Sequence, residues 1–182
     1  EGMGHIPQDR HKEGMALDMS LSDNMILETH GDKKFSRCGW IDYDKVNQYT
    51  GEMIEKYNVK ATGYAAPAGS LSGGNQQKVV LAREVSREPK ILIAAQPTRG
   101  LDISAVEFVH RKLLESRDSG VAILMISTEL EECLSLSDRL AVMHQGRIMG
   151  VMNREEYDVE KIGLMIAGVH DGERKNEDKT ER

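Results

Sequence analysis

The chain has 182 residues, a formal net charge of −6, 39% hydrophobic residues and only 4% aromatic ones, which suits one domain with an aliphatic core. Its basic and acidic residues are interspersed rather than gathered into a basic stripe, which argues against a dedicated nucleic-acid surface. The longest apolar run, Val121 to Ile126, is too short to span a bilayer, and the first residues do not read as a signal peptide. A membrane role is therefore expected to come through a partner. Cys38 and Cys133 are isolated and share no metal-type spacing, so they read as reduced cytosolic thiols rather than a disulfide framework.

From Glu1 to Arg10 an extended apolar step runs into a polar turn at Pro7, like the middle of a domain. From Ser20 to about Tyr57 the pattern is helical, with Ser22 or Asp23 as N-caps before Met25, Ile26 and Leu27, and a second helix around Tyr43 to Lys56. Val46, Tyr49, Met53 and Tyr57 recur at three and four residues and predict a core face rather than a cofactor box. Thr29 to Trp40 is polar, carries Gly31 and Gly39, and suits a surface connection. Residues from about 18 to 68 therefore read as a small helical subdomain, with Gly63 to Gly69 as the linker that closes it.

Ser70-Leu71-Ser72-Gly73-Gly74-Asn75-Gln76-Gln77-Lys78 then joins a glycine-rich turn to an amphipathic helix running to about Arg87. Ser72, Gly73 and Gly74 leave backbone N–H groups uncovered at its first turn, where unpaired donors and the positive dipole end attract an anion. Taken alone, the same residues read more simply as a Ser N-cap after a linker. Lys90 to Ala95 predicts a short buried strand that ends in Gln96-Pro97-Thr98-Arg99-Gly100-Leu101-Asp102. Ser104 is expected to cap a helix carrying Val106, Val109, His110, Leu113 and Leu114, which Asp118-Ser119-Gly120 ends before a strand over Val121 to Ile126. Two apolar strands joined by a helical crossover should lie parallel in one sheet, with a right-handed connection and cover on both faces.

A helix around Glu129 to Ser135 follows, then a hairpin of Arg139 to His144 and Arg147 to Met152 about a Gln145-Gly146 turn, and a last helix over Glu155 to Gly168. His110 and His144 read as surface or satisfied histidines. Asp171 to Arg182 is a charged tail without core residues, expected to be disordered.

The order of a Leu71-Ser72-Gly73-Gly74 helix start, a strand, then Pro97-Thr98 and a Gly100-Leu101-Asp102 turn resembles the nucleotide-binding domain of ABC transporters, whose signature motif is such a Ser-Gly-Gly stretch. The extension Asn75-Gln76-Gln77-Lys78 is similar to the second ATPase domain of the double-domain importers for sugars and nucleosides, and the similarity covers nearly the whole chain except the tail. The resemblance implies an α/β fold, a partial P-loop NTPase domain over residues 1 to 170 with parallel strands, the helical subdomain, and a C-terminal hairpin and helix. Residues 70 to 170 would hold the signature, Walker B, D-loop and H-loop regions. Gln8 falls at the Q-loop position, where these second domains more often carry Glu; a solvated Pro turn is the other reading. Asp102 corresponds to the D-loop residue that would sit at a domain interface and couple two sites.

In this family ATP hydrolysis needs a P-loop lysine, a carboxylate near Mg²⁺ and a group that handles the attacking water. The chain has no G-x-x-x-x-G-K-[ST] and no Gly-Lys pair. By family order that motif would precede Glu1, so the chain is expected to be a fragment whose sheet lacks the strand feeding the P-loop. The Walker B Asp and catalytic Glu correspond to Ala95 and Gln96, and the switch histidine to Thr128. Alanine offers no carboxylate to a metal shell, and an amide has no pKa suited to taking a proton. The chain's own site is thus expected to be degenerate, with no intact catalytic residue and no metal ligand, and the chain alone to be inactive. Ser72, Gly73 and Gly74, with Asn75 and Gln76, would complete in trans the ATP and Mg²⁺ site of a partner domain.

The implied function is the energy-coupling ATPase domain of an ABC importer. Ala94 to Asp102 and the Glu107-Phe108-Val109-His110 helix look more like the nucleoside group, with a ribose-type sugar importer as the alternative. A non-catalytic regulatory module is the alternative of another class. A soluble ABC protein of translation or DNA repair would need inserted arms or basic surfaces that the chain does not show. The implied partners are a second ABC ATPase domain, transmembrane permease subunits and, indirectly, an extracytoplasmic substrate-binding protein, with no nucleic acid. The implied location is peripheral, on the cytoplasmic face of the membrane.

Overall fold

Alternation sets the first element of the computed structural model, which describes residues 2–169: in strand β1, Met3–Ile6, Gly4 and Ile6 face inward and Met3 and His5 outward. One π-helical turn, Arg10–Gly14, follows, started by Asp9, whose carboxylate accepts from the His11 and Lys12 amides. Helix α1, Leu21–Met25, is shorter than predicted and is capped by Ser20, with Asp23 returning a bond to the Ser20 amide in a capping box. Ser22, one of the two predicted caps, is buried, and its hydroxyl donates to Asn47 Oδ1 instead.

The polar connection holds an antiparallel pair, β2 (Ser36–Arg37) and β3 (Trp40–Ile41), turning through Cys38 and Gly39 at positive φ. Two-residue strands are too short for alternation to register in a sequence. Helix α2, Tyr43–Lys56, starts at Asp42, and its stripe buries Val46 and Met53, with Tyr57 just beyond its end. A 3₁₀ turn, Ala68–Ser70, leads to helix α3, Gly73–Val85, then strand β4, Ile91–Ala95, helix α4, Ile103–Asp118, and strand β5, Ala122–Ile126. Helix α4 starts earlier than predicted because Asp102 caps it, and the predicted cap, Ser104, donates its hydroxyl to that carboxylate.

The strands stand in the order β1-β4-β5, with β4 parallel to both neighbours. Ile6, Leu92 and Ala94 share one apolar core with Val79 and Val80 of α3 and Phe108, Val109 and Leu113 of α4. Cover on both faces was expected, but the helices take only one. Met3, Ile91, Leu124 and Ile126 are 57%, 48%, 56% and 51% exposed, because alternation points them away from α3 and α4.

The chain divides into two compact units, Glu1–Thr128 and Glu129–Arg182, and everything above lies in the first. The second contains helix α5, Leu130–Leu136, strands β6 (Arg139–His144) and β7 (Arg147–Asn153), and helix α6, Val159–Ile166. Its hairpin turns through Gln145 and Gly146, both at positive φ, the backbone a tight two-residue turn demands. Helix α6 starts later than predicted, since Asn153 and Glu156 form a capping box around a 3₁₀ turn and Asp158 caps the helix itself. Val142, Met152, Ile162 and Met165 form this unit's core, and His144 Nδ1 is bonded to the Ile166 carbonyl. The tail expected to be disordered lies outside the described residues, among which no helix is long and apolar enough to cross a membrane.

Charge enters the first unit's core at the end of α3. Arg83 Nε donates to Glu84 Oε1 at 2.8 Å and Arg83 Nη1 to the Gly14 carbonyl at 2.9 Å, while Glu84 Oε2 accepts from the His5 amide at 3.1 Å. Both side chains are buried, and although Glu84 Oε2 also accepts from Arg87 Nη1 at 3.4 Å, removing Glu84 leaves the Arg83 guanidinium in the core without its carboxylate. Glu84→Ala should therefore lower unfolding stability by about 3 kcal/mol or more. Urea denaturation checks this, and a loss under about 1 kcal/mol would show that the pair behaves as a surface contact.

Candidate functional site

The site begins with what α3 lacks. Ser72 occupies the N-cap with extended backbone, yet its side chain accepts no bond from the helix backbone. The first intrahelical bond runs from the Gln76 amide to the Ser72 carbonyl at 2.9 Å, which leaves the amides of Gly73, Gly74 and Asn75 without an acceptor in the helix. Helices α1, α2 and α4 each have a side-chain cap from Ser20, Asp42 or Asp102. The signature turn is open, with Ser72 exposed at its tip.

The two glycines are required for different reasons. A Cβ on Gly73 would lie 2.8 Å from Arg10 Nη2, so the missing side chain makes room for a guanidinium beside the open turn. Arg10 is held there by a 3.1 Å bond from Nη1 to the Arg99 carbonyl, and its buried Nε has no partner. A Cβ on Gly74 would instead meet the Cβ of Ala105 at 3.1 Å and Asp102 Oδ2 at 3.6 Å, so this glycine lets α3 approach the start of α4. The open amides and the guanidinium make the turn electropositive.

Other predicted residues fall in different places. Gln76, grouped with the signature donors on sequence, is buried: its Oε1 lies 2.8 Å from His11 Nε2, and its Nε2 donates to the Ala68 carbonyl. Both ends of its side-chain amide are thus bonded within the fold. Gln77 is buried as well and donates to the Pro97 carbonyl at 2.7 Å, which ties α3 to the loop after β4. Gln8 is exposed in the bend after β1. Arg10 and His11 were missed, because Asp9-Arg10-His11-Lys12 reads as a solvated polar run and only the fold lays it along α3.

At the strand ends, Gln96 has a positive φ of 49°, and its amide donates to the Ile126 carbonyl at 2.7 Å. Its Oε1 accepts from the Thr128 hydroxyl at 3.3 Å and lies 3.5 Å from the Thr128 amide. The Gln96 side chain is thus folded onto the next strand end. Magnesium does not fit here: Ala95 and Gln96 supply no carboxylate, and among the described residues no group of His, Cys, Asp and Glu is arranged to hold a metal.

Asp102 is held below the usual carboxylate value by the Ser104 hydroxyl and then by the Ala105 amide. Since its folded pKa is the lower one, its contribution is complete above the unfolded value and is lost as pH falls through the folded value. Asp102→Ala should therefore melt lower than wild type at neutral pH, with the gap closing below about pH 4. Melting curves across that range check it, and a gap constant with pH would remove the cap from the account.

No protein-family model matches the chain. Over 168 residues, 92% of the chain, it is 44% identical to a nucleoside import ATP-binding protein of Lactococcus lactis subsp. cremoris, of which it covers 33%. It is 47% identical to a guanosine import ATP-binding protein of Bacillus subtilis, with 92% of the chain and 33% of that protein covered. It is 41% identical to a ribose import ATP-binding protein of Lactococcus lactis subsp. cremoris, with 92% and 34% covered. The chain thus spans about a third of the length of these curated relatives. In fold it is similar to an ATP-binding cassette of an ABC transporter, with a TM-score of 0.70 at 20% identity over 92% of this chain and 67% of that one. It is also similar to a dimeric ATP-binding cassette in a post-hydrolysis state bound to ADP and Pi, with a TM-score of 0.67 at 17% identity over 86% and 65%.

Proposed function

Because this chain belongs to the ABC ATPase family, we propose that it works as an ATP-binding domain of an importer, with its signature turn closing over a nucleotide held by a partner ABC ATPase domain. The observation that carries this reading is the open start of α3: unsatisfied amides at Gly73, Gly74 and Asn75, the Ser72 hydroxyl and the Arg10 guanidinium gather on one exposed turn. Fixed donors of this kind stabilise charge on a terminal phosphate without reorganising during the reaction. The partner domain supplies the P-loop lysine for that nucleotide, with the carboxylate and the water-handling group that Ala95, Gln96 and Thr128 do not provide. Magnesium bound with that nucleotide neutralises phosphate charge.

The chain's own strand ends take no part in hydrolysis on this reading, since Gln96 and Thr128 are bonded to each other and Ala95 offers no ligand. Asp102 caps α4 beside Gly74, so a partner pressing on the D-loop turn is felt at the signature. Nucleosides are the proposed cargo, as the nucleoside and guanosine import proteins are 44% and 47% identical; ribose is the second reading, supported by relatives at 41%. Transport requires permease subunits and, on the outer side, a substrate-binding protein, which places this domain peripherally on the cytoplasmic face.

In the assembled transporter, Gly73→Asp sets a carboxylate against Arg10 and over the open amides, and ATPase turnover and uptake should fall together by about a hundredfold. Thr128→Ala, at the closed strand ends, should leave turnover within about twofold. Phosphate release and radiolabelled nucleoside uptake, with melting curves to confirm folding, check the pair. Turnover preserved by Gly73→Asp and lost in Thr128→Ala would reverse the assignment of working and silent ends.

A further inference from the structure

Beside the open turn, Asn75 makes two bonds that bear on the chemistry of Ser72. Asn75 Oδ1 accepts from the Lys60 amide at 2.8 Å, and Asn75 Nδ2 donates to Ser72 Oγ at 2.9 Å. The first bond fixes the second. A backbone amide can only donate, so the oxygen of the Asn75 side chain must face Lys60 and its NH₂ must face Ser72. The segment before Lys60 is itself held: Lys78 Nζ donates to the Asn58 carbonyl at 2.9 Å, the Val59 amide bonds to the Ile54 carbonyl, and the Val59 side chain is buried.

A serine hydroxyl has one proton and two lone pairs. Because Ser72 Oγ receives the Asn75 N–H, a lone pair is committed inward and the proton is turned away from Asn75. The Ser72 hydroxyl donates no hydrogen bond among the described residues, and the residue is exposed. Resting on the proposed function, we infer that Asn75 is a positioning residue: anchored by the Lys60 amide, it orients the Ser72 hydroxyl as an outward donor to a phosphate oxygen of the partner's nucleotide. Asn75 then acts on the nucleotide through Ser72 rather than by its own side chain, and the loop after α2 has a direct connection to the phosphate contact.

The steady-state ATPase of the assembled transporter, with Ser72→Ala, Asn75→Ala and the double variant, tests this. Ser72→Ala should lower kcat/KM about tenfold, as for one hydrogen bond to a charged group. Asn75→Ala should lower it as well, and the double variant should lose no more than Ser72→Ala alone. Asn75→Asp separates orientation from anchoring. It keeps an acceptor for the Lys60 amide, but its carboxylate also draws the Ser72 proton inward, so it should lose at least as much activity as Asn75→Ala while melting close to wild type. Asn75→Asp near wild-type activity, or an Asn75→Ala loss unchanged by removing the Ser72 hydroxyl, overturns the inference and leaves the proposed function standing. A silent Ser72→Ala also overturns it, and the proposed function falls with it only if Gly73→Asp is silent too.

Discussion

Helix α3 is held from one end and open at the other. Its C-terminal half sinks Val79, Val80, Leu81 and Ala82 into the core, and Arg83 and Glu84 bind it to the π turn and to β1. That anchorage allows its first amides to go without partners, which would otherwise fray a helix start. A cap on those amides would strengthen α3 and occupy the positions where an anion can be received. The first unit thus keeps a solvated, electropositive turn rigid by fixing everything behind it.

The elements around that turn are fastened to it at several points. Arg10 lies against Gly73, His11 bonds to Gln76, Asn75 reaches Lys60, and Gln77 reaches the loop after β4. The strand end that would carry metal chemistry is satisfied within itself through Gln96 and Thr128. On the proposed function, the open turn of α3 receives a nucleotide bound by the partner domain, and the closed strand ends do not.

Local chemistry wrote part of this plainly. The three-and-four spacing from Val46 to Tyr57 marks α2, Gln145-Gly146 specifies the β6–β7 hairpin, and Ser72-Gly73-Gly74 marks the open turn. Features decided at long range were hidden. Ser22 looks like a cap until Asn47 claims its hydroxyl, and Gln76 looks like an exposed donor until its Nε2 goes to the Ala68 carbonyl and its Oε1 to His11. Asp102 outcompetes Ser104 because it lies two residues earlier and Ser104 can donate to it. The cover of the sheet was misjudged because apolar strands such as Leu124 and Ile126 read as buried whether or not this unit supplies the second layer. Arg83 and Glu84 left a trace in the sequence, as charges on the same α3 face as Val79 and Val80, but only the fold shows why the core accepts them.

The most direct measurement is amide hydrogen exchange at Gly73, Gly74 and Asn75, whose N–H groups lack helix partners. In the assembled transporter with non-hydrolysable ATP and magnesium, these amides should slow together, while the Gln96 and Thr128 amides remain unchanged; the isolated chain with the same ligand should show no slowing at either place. Protection at Gln96 and Thr128 with none at Gly73 to Asn75 would contradict the account, because the nucleotide would then be read by the strand ends and not by the open turn of α3.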